Sequence, residues 1–224
     1  TGDSDPDGNP LTLVSIGGTT LTPGTAQVIP VTGGTVNVAI DGTITFTPDA
    51  NYSGTVTIPY VISDGTTTAT ADQIITVNAV NDAPSGTDKT FSGVVSGSST
   101  TLTVADFGFS DPNDTPADTF KEVIVQLPSA GELQLDGVAI TGATTVSVAD
   151  ITAGKLVYVA PSGATGSNPT ISFQVVDNGG TANGGVDTDQ SANTLTFNVG
   201  ANQPPVAVDD PYTMNEDGAA ITLT

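Results

Sequence analysis

The 224-residue sequence predicts an all-β fold, built as antiparallel β-sandwiches arranged end to end. Three observations carry that expectation. Short runs of alternating apolar and polar residues recur along the chain; Gly, Pro, Asn and Asp separate them; and the same succession returns in the second half. No stretch longer than one turn is convincingly amphipathic in the helical sense, and the alternation argues against disorder, the competing reading of high charge with many Gly and Pro.

In the first half the strand signals fall at residues 11–16, 35–40, 43–47, 55–62 and 73–77. Between the second and third lies Asp41-Gly42, a dipeptide expected to form a two-residue hairpin turn with positive φ at both positions. In the second half the corresponding runs are 123–127, 132–135, 155–159, 170–176 and 194–199. Neighbouring strands so close in sequence, without helical crossovers, call for antiparallel pairing.

The two halves match at specific residues. Ser4-Asp5-Pro6-Asp7 corresponds to Ser110-Asp111-Pro112-Asn113, and Gly42 with Thr43-Ile44-Thr45-Phe46 to Gly154 with Lys155-Leu156-Val157-Tyr158. Val61-Ile62-Ser63-Asp64-Gly65 corresponds to Val175-Val176-Asp177-Asn178-Gly179, and Asn81-Asp82-Ala83-Pro84 to Asn202-Gln203-Pro204-Pro205. The spacing between matched residues grows along the chain, so the second unit carries insertions, one of them the Gly-, Asn- and Asp-rich stretch 179–189. Three domains are expected: 1–82, a sandwich lacking its opening strands; 83–202, a longer sandwich with loop insertions; and 203–224, the opening strands of a third, truncated repeat. A chain that opens on Thr1, out of frame with its own repeats, reads as an interior piece of something longer. Because unpaired sheet edges recruit strands, residues 219–224 are a candidate to complete the first unit of another copy.

Charge and composition exclude several function classes. Asp and Glu number 24 against 3 lysines (Lys89, Lys121, Lys155), with no Arg, for a formal charge of −21, so neither nucleic acid nor an anionic membrane finds a basic face. Without Cys or His there is no thiol nucleophile, disulfide, Ser-His-Asp triad or usual zinc site. No apolar run approaches the roughly 20 residues that cross a bilayer as a helix. A glycosidase pair of carboxylates lacks an aromatic cleft, and the sequence has no Trp for sugar stacking. Gly179-Gly180 and Gly184-Gly185 are not phosphate loops, since no strand-loop-helix unit surrounds them. Internal isopeptide links from the lysines are conceivable, but solvated surface lysines are the simpler reading. The expectation is a non-enzyme.

The residues also carry a family resemblance. Asp3-Ser4-Asp5-Pro6-Asp7-Gly8-Asn9, the Ser63-Asp64-Gly65 turn, the Asn81-Asp82-Ala83-Pro84 joint and Tyr212-Thr213-Met214-Asn215-Glu216-Asp217-Gly218 resemble the cadherin-like tandem repeat domains of giant bacterial adhesins, including the repeats-in-toxin type. The second unit, through Ala105 to Pro112 and Asn183 to Asp189, is similar to a longer variant in the same adhesins. The resemblance implies cadherin-like or immunoglobulin-like sandwiches, stiffened by calcium and strung between an anchor and distal ligand-binding modules.

Calcium follows independently from the residue types, because a hard cation takes six to eight oxygens and clustered Asp and Asn with carbonyls supply them. In a sandwich, the loop after the second strand and the loop after the sixth reach the same pole as the incoming linker. That brings Asp111, Asn113 and Asp114 to Asp177 beneath Asn81 and Asp82. The first-unit set is Asp3, Asp5, Asp7 and Asp64, and at the last joint Asn202 meets Glu216. The second unit has no Glu where the resemblance places one matching Glu216, and Asp88 is the candidate substitute. The 12-residue EF-hand pattern is absent.

The expected function is a calcium-stiffened extender segment of a secreted or surface-anchored bacterial adhesin, of the kind that serves cell adhesion and biofilms, holding a distal ligand-binding region away from the cell. Its partners are calcium and neighbouring repeats of the same polypeptide, with host or biofilm ligands bound through other domains. The alternative is a calcium-dependent glycan- or protein-recognition module using residues 179–189 and 114–118; a third reading is homotypic adhesion.

Overall fold

Alternation in sequence becomes two layers in space because each strand buries one side of its pleat against a facing sheet. The computed structural model describes residues 2–164, 166–200 and 205–209. The first sandwich is built from β1 (Thr12–Ile16), β2 (Thr19–Thr20), β3 (Gln27–Val31), β4 (Gly34–Val38), β5 (Ile44–Pro48), β6 (Gly54–Ser63) and β7 (Thr68–Val77). One sheet has the order β2-β1-β6-β7 and the other β3-β4-β5. Ile16, Ile29, Val36, Val38, Val56 and Ile58 form the core between them. All five strand signals of this half are strands here. β3 escaped the sequence reading because Pro30 interrupts it; the proline is exposed on an edge strand, where its missing N–H costs no ladder bond.

The second sandwich comprises β8 (Lys89–Val95), β9 (Ser99–Thr101), β10 (Phe120–Val125), β11 (Glu132–Leu135), β12 (Val138–Ala139), β13 (Thr144–Ser147), the five-residue helix α1 (Val148–Thr152), β14 (Leu156–Val159), β15 (Thr170–Asp177) and β16 (Asn193–Gly200). Its sheets run β13-β10-β15-β16-β8 and β12-β11-β14-β9. The core is larger and aromatic. Phe197 stacks on Tyr158 at 3.9 Å and on Phe91 at 4.8 Å between centroids, and Phe107 meets Phe173 edge-on at 5.1 Å.

Pairing is antiparallel with one exception among the described strands: β8 runs parallel to β16, with Lys89 opposite Leu195 and Phe91 opposite Phe197. After β8 the chain turns at Gly97 (φ 77°) and β9 joins β14 in the opposite sheet, so this opening segment closes one side of the second sandwich by touching both layers.

Asp41-Gly42 departs from its expectation. Ala39 N–H donates to the Thr43 carbonyl, and only Gly42 has positive φ (85°), so the hairpin loop spans three residues; the Asp41 carboxylate accepts from Thr43 N–H at 2.9 Å. The two-residue geometry belongs instead to Asp136-Gly137, both at positive φ (52° and 75°), between β11 and β12. Residues 205–209 form no strand, and the expected opening strands of a third repeat, with Asn202 and Glu216, lie outside the described residues.

Candidate metal centre

The entry pole of the second sandwich is assembled from three segments. The linker after β7 brings Asn81 and Asp82; the loop before β10 brings Asp111, Asn113, Asp114 and Asp118; the end of β15 brings Asp177. Asp111, Asp114 and Asp118 each place a carboxylate oxygen within 4.8 Å of the others. Asp177 is fully buried and Asp111 nearly so, at 7% exposure.

Hydrogen bonds fix the linker onto this pole. Asn81 Nδ2 donates to Asp177 Oδ1 at 3.1 Å and to the Val186 carbonyl at 2.8 Å, while Val186 N–H donates back to the Asn81 carbonyl at 2.9 Å. Asp82 N–H donates to Asp114 Oδ2 at 3.0 Å, and Gly179 N–H to Asp177 Oδ1 at 2.8 Å. Gly179 has to be glycine: a Cβ there would collide with Asn81 Oδ1 and Asp118 Oδ2. The insertion 179–189 therefore lies along the linker. Its far end is tied by buried Asp189, which accepts from Gly86 N–H, Asn193 Nδ2, Ser191 N–H and the Ser191 hydroxyl. Between the linker and the first sandwich, Asn51, Tyr52 and Ser53 face Asp82, Asn113 and Asp114 across a polar cleft of 240 Å³.

Four buried oxygens at this pole have no hydrogen-bond partner: both of Asp111, Oδ2 of Asp177 and Oδ1 of Asn81. Buried polar atoms are nearly always satisfied, and a carboxylate with both oxygens unpartnered beside another with one unpartnered is costly. Burial, then the charges of Asp114 and Asp177, push the Asp111 carboxyl above the ordinary carboxylate range; burial chiefly does the same to Asp177. An all-oxygen, negatively charged, water-poor donor set of this kind fits a hard divalent cation and repels anions.

Of the expected ligands, the structure thus brings together Asn81, Asp82, Asp111, Asp114 and Asp177, with Asn113 exposed on the cleft wall. Asp118, which the sequence assigns only to a candidate recognition loop, joins them. The first-unit set is not gathered in the same way. Asp64 accepts from Thr66 N–H and Thr67 N–H, both at 2.6 Å, which hold its carboxyl below the usual range and commit it to its own hairpin turn. Asp5 Oδ1 caps its loop by accepting from Asp7 N–H and Asn9 N–H, and Asp3 accepts from the Tyr60 hydroxyl at 2.9 Å. Asp88 accepts from Thr194 N–H and so serves the β8–β16 edge. The lysines are ion-paired: Lys89 with Asp106 at 2.5 Å, Lys155 with Asp150 at 2.7 Å and Lys121 with Glu122 at 3.2 Å.

A cadherin-like family model matches residues 84–201, and a bacterial Ig domain model matches residues 1–78. No curated protein sequence matches the chain. Among solved structures, the EC1-2 fragment of human protocadherin-24 is similar at 13% identity and a TM-score of 0.51, covering 89% of this chain and 85% of that one. EC1-2 of human mucin-like protocadherin aligns at 14% identity and a TM-score of 0.39, covering 88% and 86%. At 13% identity the likeness to protocadherin-24 concerns the fold alone: two domains in tandem. Domains of these two kinds are typically extracellular or surface modules of structure or adhesion rather than enzymes. No helix among the described residues is long and apolar enough to cross a membrane.

Proposed function

The chain belongs to the cadherin-like family, and from that premise we propose that it is a calcium-stiffened extender segment of a secreted or surface-anchored bacterial adhesin, of the repeats-in-toxin kind. Domains 1–82 and 83–202 are its spacers, and 203–224 begins the next. The observation that carries this reading is the set of four orphaned buried oxygens, both of Asp111, one of Asp177 and one of linker residue Asn81, with Asp114 and Asp118 clustered about Asp111. A bound calcium supplies positive charge and coordination. Asp111 and Asp177 would hold it from the second sandwich and Asn81 from the linker, while Asp114 positions the linker through Asp82 N–H and would offer its second oxygen.

The mechanical consequence lies in where those residues sit. Asn81 and Asp82 belong to the segment joining the sandwiches, so tying them to Asp177 and Asp114 removes the linker's own freedom. A site read only by the folded state stabilises it by RT ln(1 + [L]/Kd), about 2.7 kcal/mol at a hundredfold excess. Extracellular calcium modules work at roughly 10⁻⁴ to 10⁻³ M, the range that suits a surface spacer.

A calorimetric calcium titration tests the reading. The wild-type chain is expected to bind, and Asp111→Ala and Asp177→Ala each to lose the middle-pole site while circular dichroism stays that of a β protein. A wild-type chain that takes up no calcium at millimolar concentration ends the proposal.

A further inference from the structure

Two asparagines of the sequence are followed by glycine, Asn178-Gly179 and Asn183-Gly184, one at the start of the insertion beside the linker and one within it. This dipeptide exposes an asparagine side chain to attack by its own backbone. Glycine has no Cβ to shield its nitrogen and does not resist the rotation that attack requires. Both asparagines are exposed, so access to water does not distinguish them. Their hydrogen bonds do.

At Asn178 each participant is held. Its Oδ1 accepts from Thr119 N–H at 2.6 Å and from the Thr119 hydroxyl at 2.9 Å, which fixes the side chain. Gly179 N–H donates to Asp177 Oδ1 at 2.8 Å, and the glycine is wedged against Asn81 and Asp118, so the peptide between the two residues has no room to turn. Asn183 is placed differently. Among the described residues no hydrogen bond engages its side chain, and Gly184 N–H has no partner in hydrogen-bond geometry. Nothing lies within 4 Å of where a Cβ on Gly184 would sit. Asn183 occupies the left-handed region (φ 56°, ψ 24°), in a turn closed by the bond from Gly185 N–H to the Ala182 carbonyl at 3.0 Å. Rotating ψ to bring the Gly184 nitrogen onto Asn183 Cγ opens that exposed turn and leaves a conformation that L-residues disfavour.

We infer that Asn183 is a self-modifying site: it deamidates in water, while Asn178 keeps its amide. The Gly184 nitrogen gives up its proton and attacks Cγ; the N–Cγ bond forms, the Cγ–Nδ2 bond breaks, and Nδ2 leaves as ammonia with that proton. Water opens the cyclic imide at either carbonyl, giving aspartate, or isoaspartate with the backbone routed through Cβ. Water is consumed, ammonia is released, and no atom changes oxidation state. Isoaspartate lengthens the chain between Ala182 and Gly185, the residues that close the turn. Gly185 packs on Asn81, whose Cβ lies 3.1 Å from where its own would be, and neighbouring Val186 exchanges hydrogen bonds with Asn81. The modification therefore loosens the clasp between insertion and linker.

The test holds the full chain in mildly alkaline buffer, with and without denaturant, and localises the change by fragment-ion mass mapping. In the native chain residue 183 is expected to gain about one dalton, the change from amide to acid, and to resolve into aspartate and isoaspartate forms, while residue 178 keeps its mass. In denaturant both are expected to convert. A native chain in which Asn183 keeps its amide for the time it converts in denaturant overturns the inference, as does one in which Asn178 converts equally fast. Hydrogen exchange in chelator checks the consequence without involving metal. The Val186 amide is expected to lose protection in the aged chain and to keep it in aged Asn183→Gln, whose side chain would have to close a larger ring. An aged wild type with Val186 still protected overturns the effect on the linker.

Discussion

Asp111 is buried with both oxygens unpartnered, and its carboxyl is held above 3.8 by burial and by neighbouring Asp114 and Asp177. Without metal, a raised carboxyl binds protons more tightly in the folded than in the unfolded state. Its contribution is most favourable below pH 3.8, where both states are protonated, and is lost as pH rises through the raised folded value. Asp111→Asn removes that penalty. In excess chelator the variant is therefore expected to melt at the wild-type temperature at low pH and roughly 4 °C higher at neutral pH, the shift for about 1 kcal/mol in a domain of this size. In millimolar calcium the order reverses, because the amide is a poorer ligand than the carboxylate it replaces. A scanning calorimetry series in which the variant's effect has the same sign with and without calcium contradicts the assignment of Asp111 as a ligand. Gly179 makes a second case, since an added Cβ drives into Asn81 and Asp118. Gly179→Ala is expected to weaken calcium binding about tenfold, the usual minimum for disturbing groups that orient ligands, while the core of the second sandwich melts as before.

At the scale of elements, what the sequence revealed and what it hid have physical causes. Strands that bury one face, such as β6, β10 and β15, alternate clearly and were legible within a residue or two at most boundaries. β8 was not. Lys89-Thr90-Phe91-Ser92-Gly93-Val94-Val95 has one half-buried and one buried position, because it is an edge strand added to β16 from outside. The acidic pole was legible where sandwich topology forces convergence, as with Asp111, Asp114 and Asp177. It was misleading where a short hydrogen bond is available nearby, as with Asp64, which its own turn consumes. Gly179 escaped notice because its importance lies in a through-space approach to Asn81, which no local pattern encodes. The aromatic stack marks the element-level dependency of the second sandwich. Phe197 on β16 lies against Tyr158 on β14 in the facing sheet and Phe91 on β8 in its own. Phe197→Ala removes a fully buried ring from both contacts and is expected to cost about 3–5 kcal/mol. Since the first sandwich has its own core, calorimetry of this variant is expected to show the second unfolding early with the first little changed. A single cooperative shift of the whole chain contradicts independent cores.

For the whole molecule, two electrostatic effects compete over how the sandwiches are joined. A formal charge of −21 spread over 224 residues makes the chain repel itself at any joint, and simple salt weakens this, with a screening length of about 10 Å at 0.1 M falling to about 3 Å at 1 M. The carboxylates at the linker need something screening cannot provide. In the proposed reading a coordinated ion holds them to Asn81 and Asp82 at fixed geometry, adding to the hydrogen bonds from Asn81 to Asp177 and from Asp82 N–H to Asp114. Small-angle scattering can therefore separate stiffening by coordination from stiffening by charge. In millimolar calcium the profile is expected to fit one rigid two-domain arrangement. In chelator it is expected to require a distribution of interdomain angles, and raising sodium chloride to molar concentration in chelator is expected not to restore the single arrangement. Asp111→Ala in calcium is expected to scatter like the wild type in chelator, because a single lost ligand unfastens the same joint. If molar salt alone reproduces the calcium profile, charge neutralisation is sufficient, and the pole under the linker has no mechanical role as a coordination site.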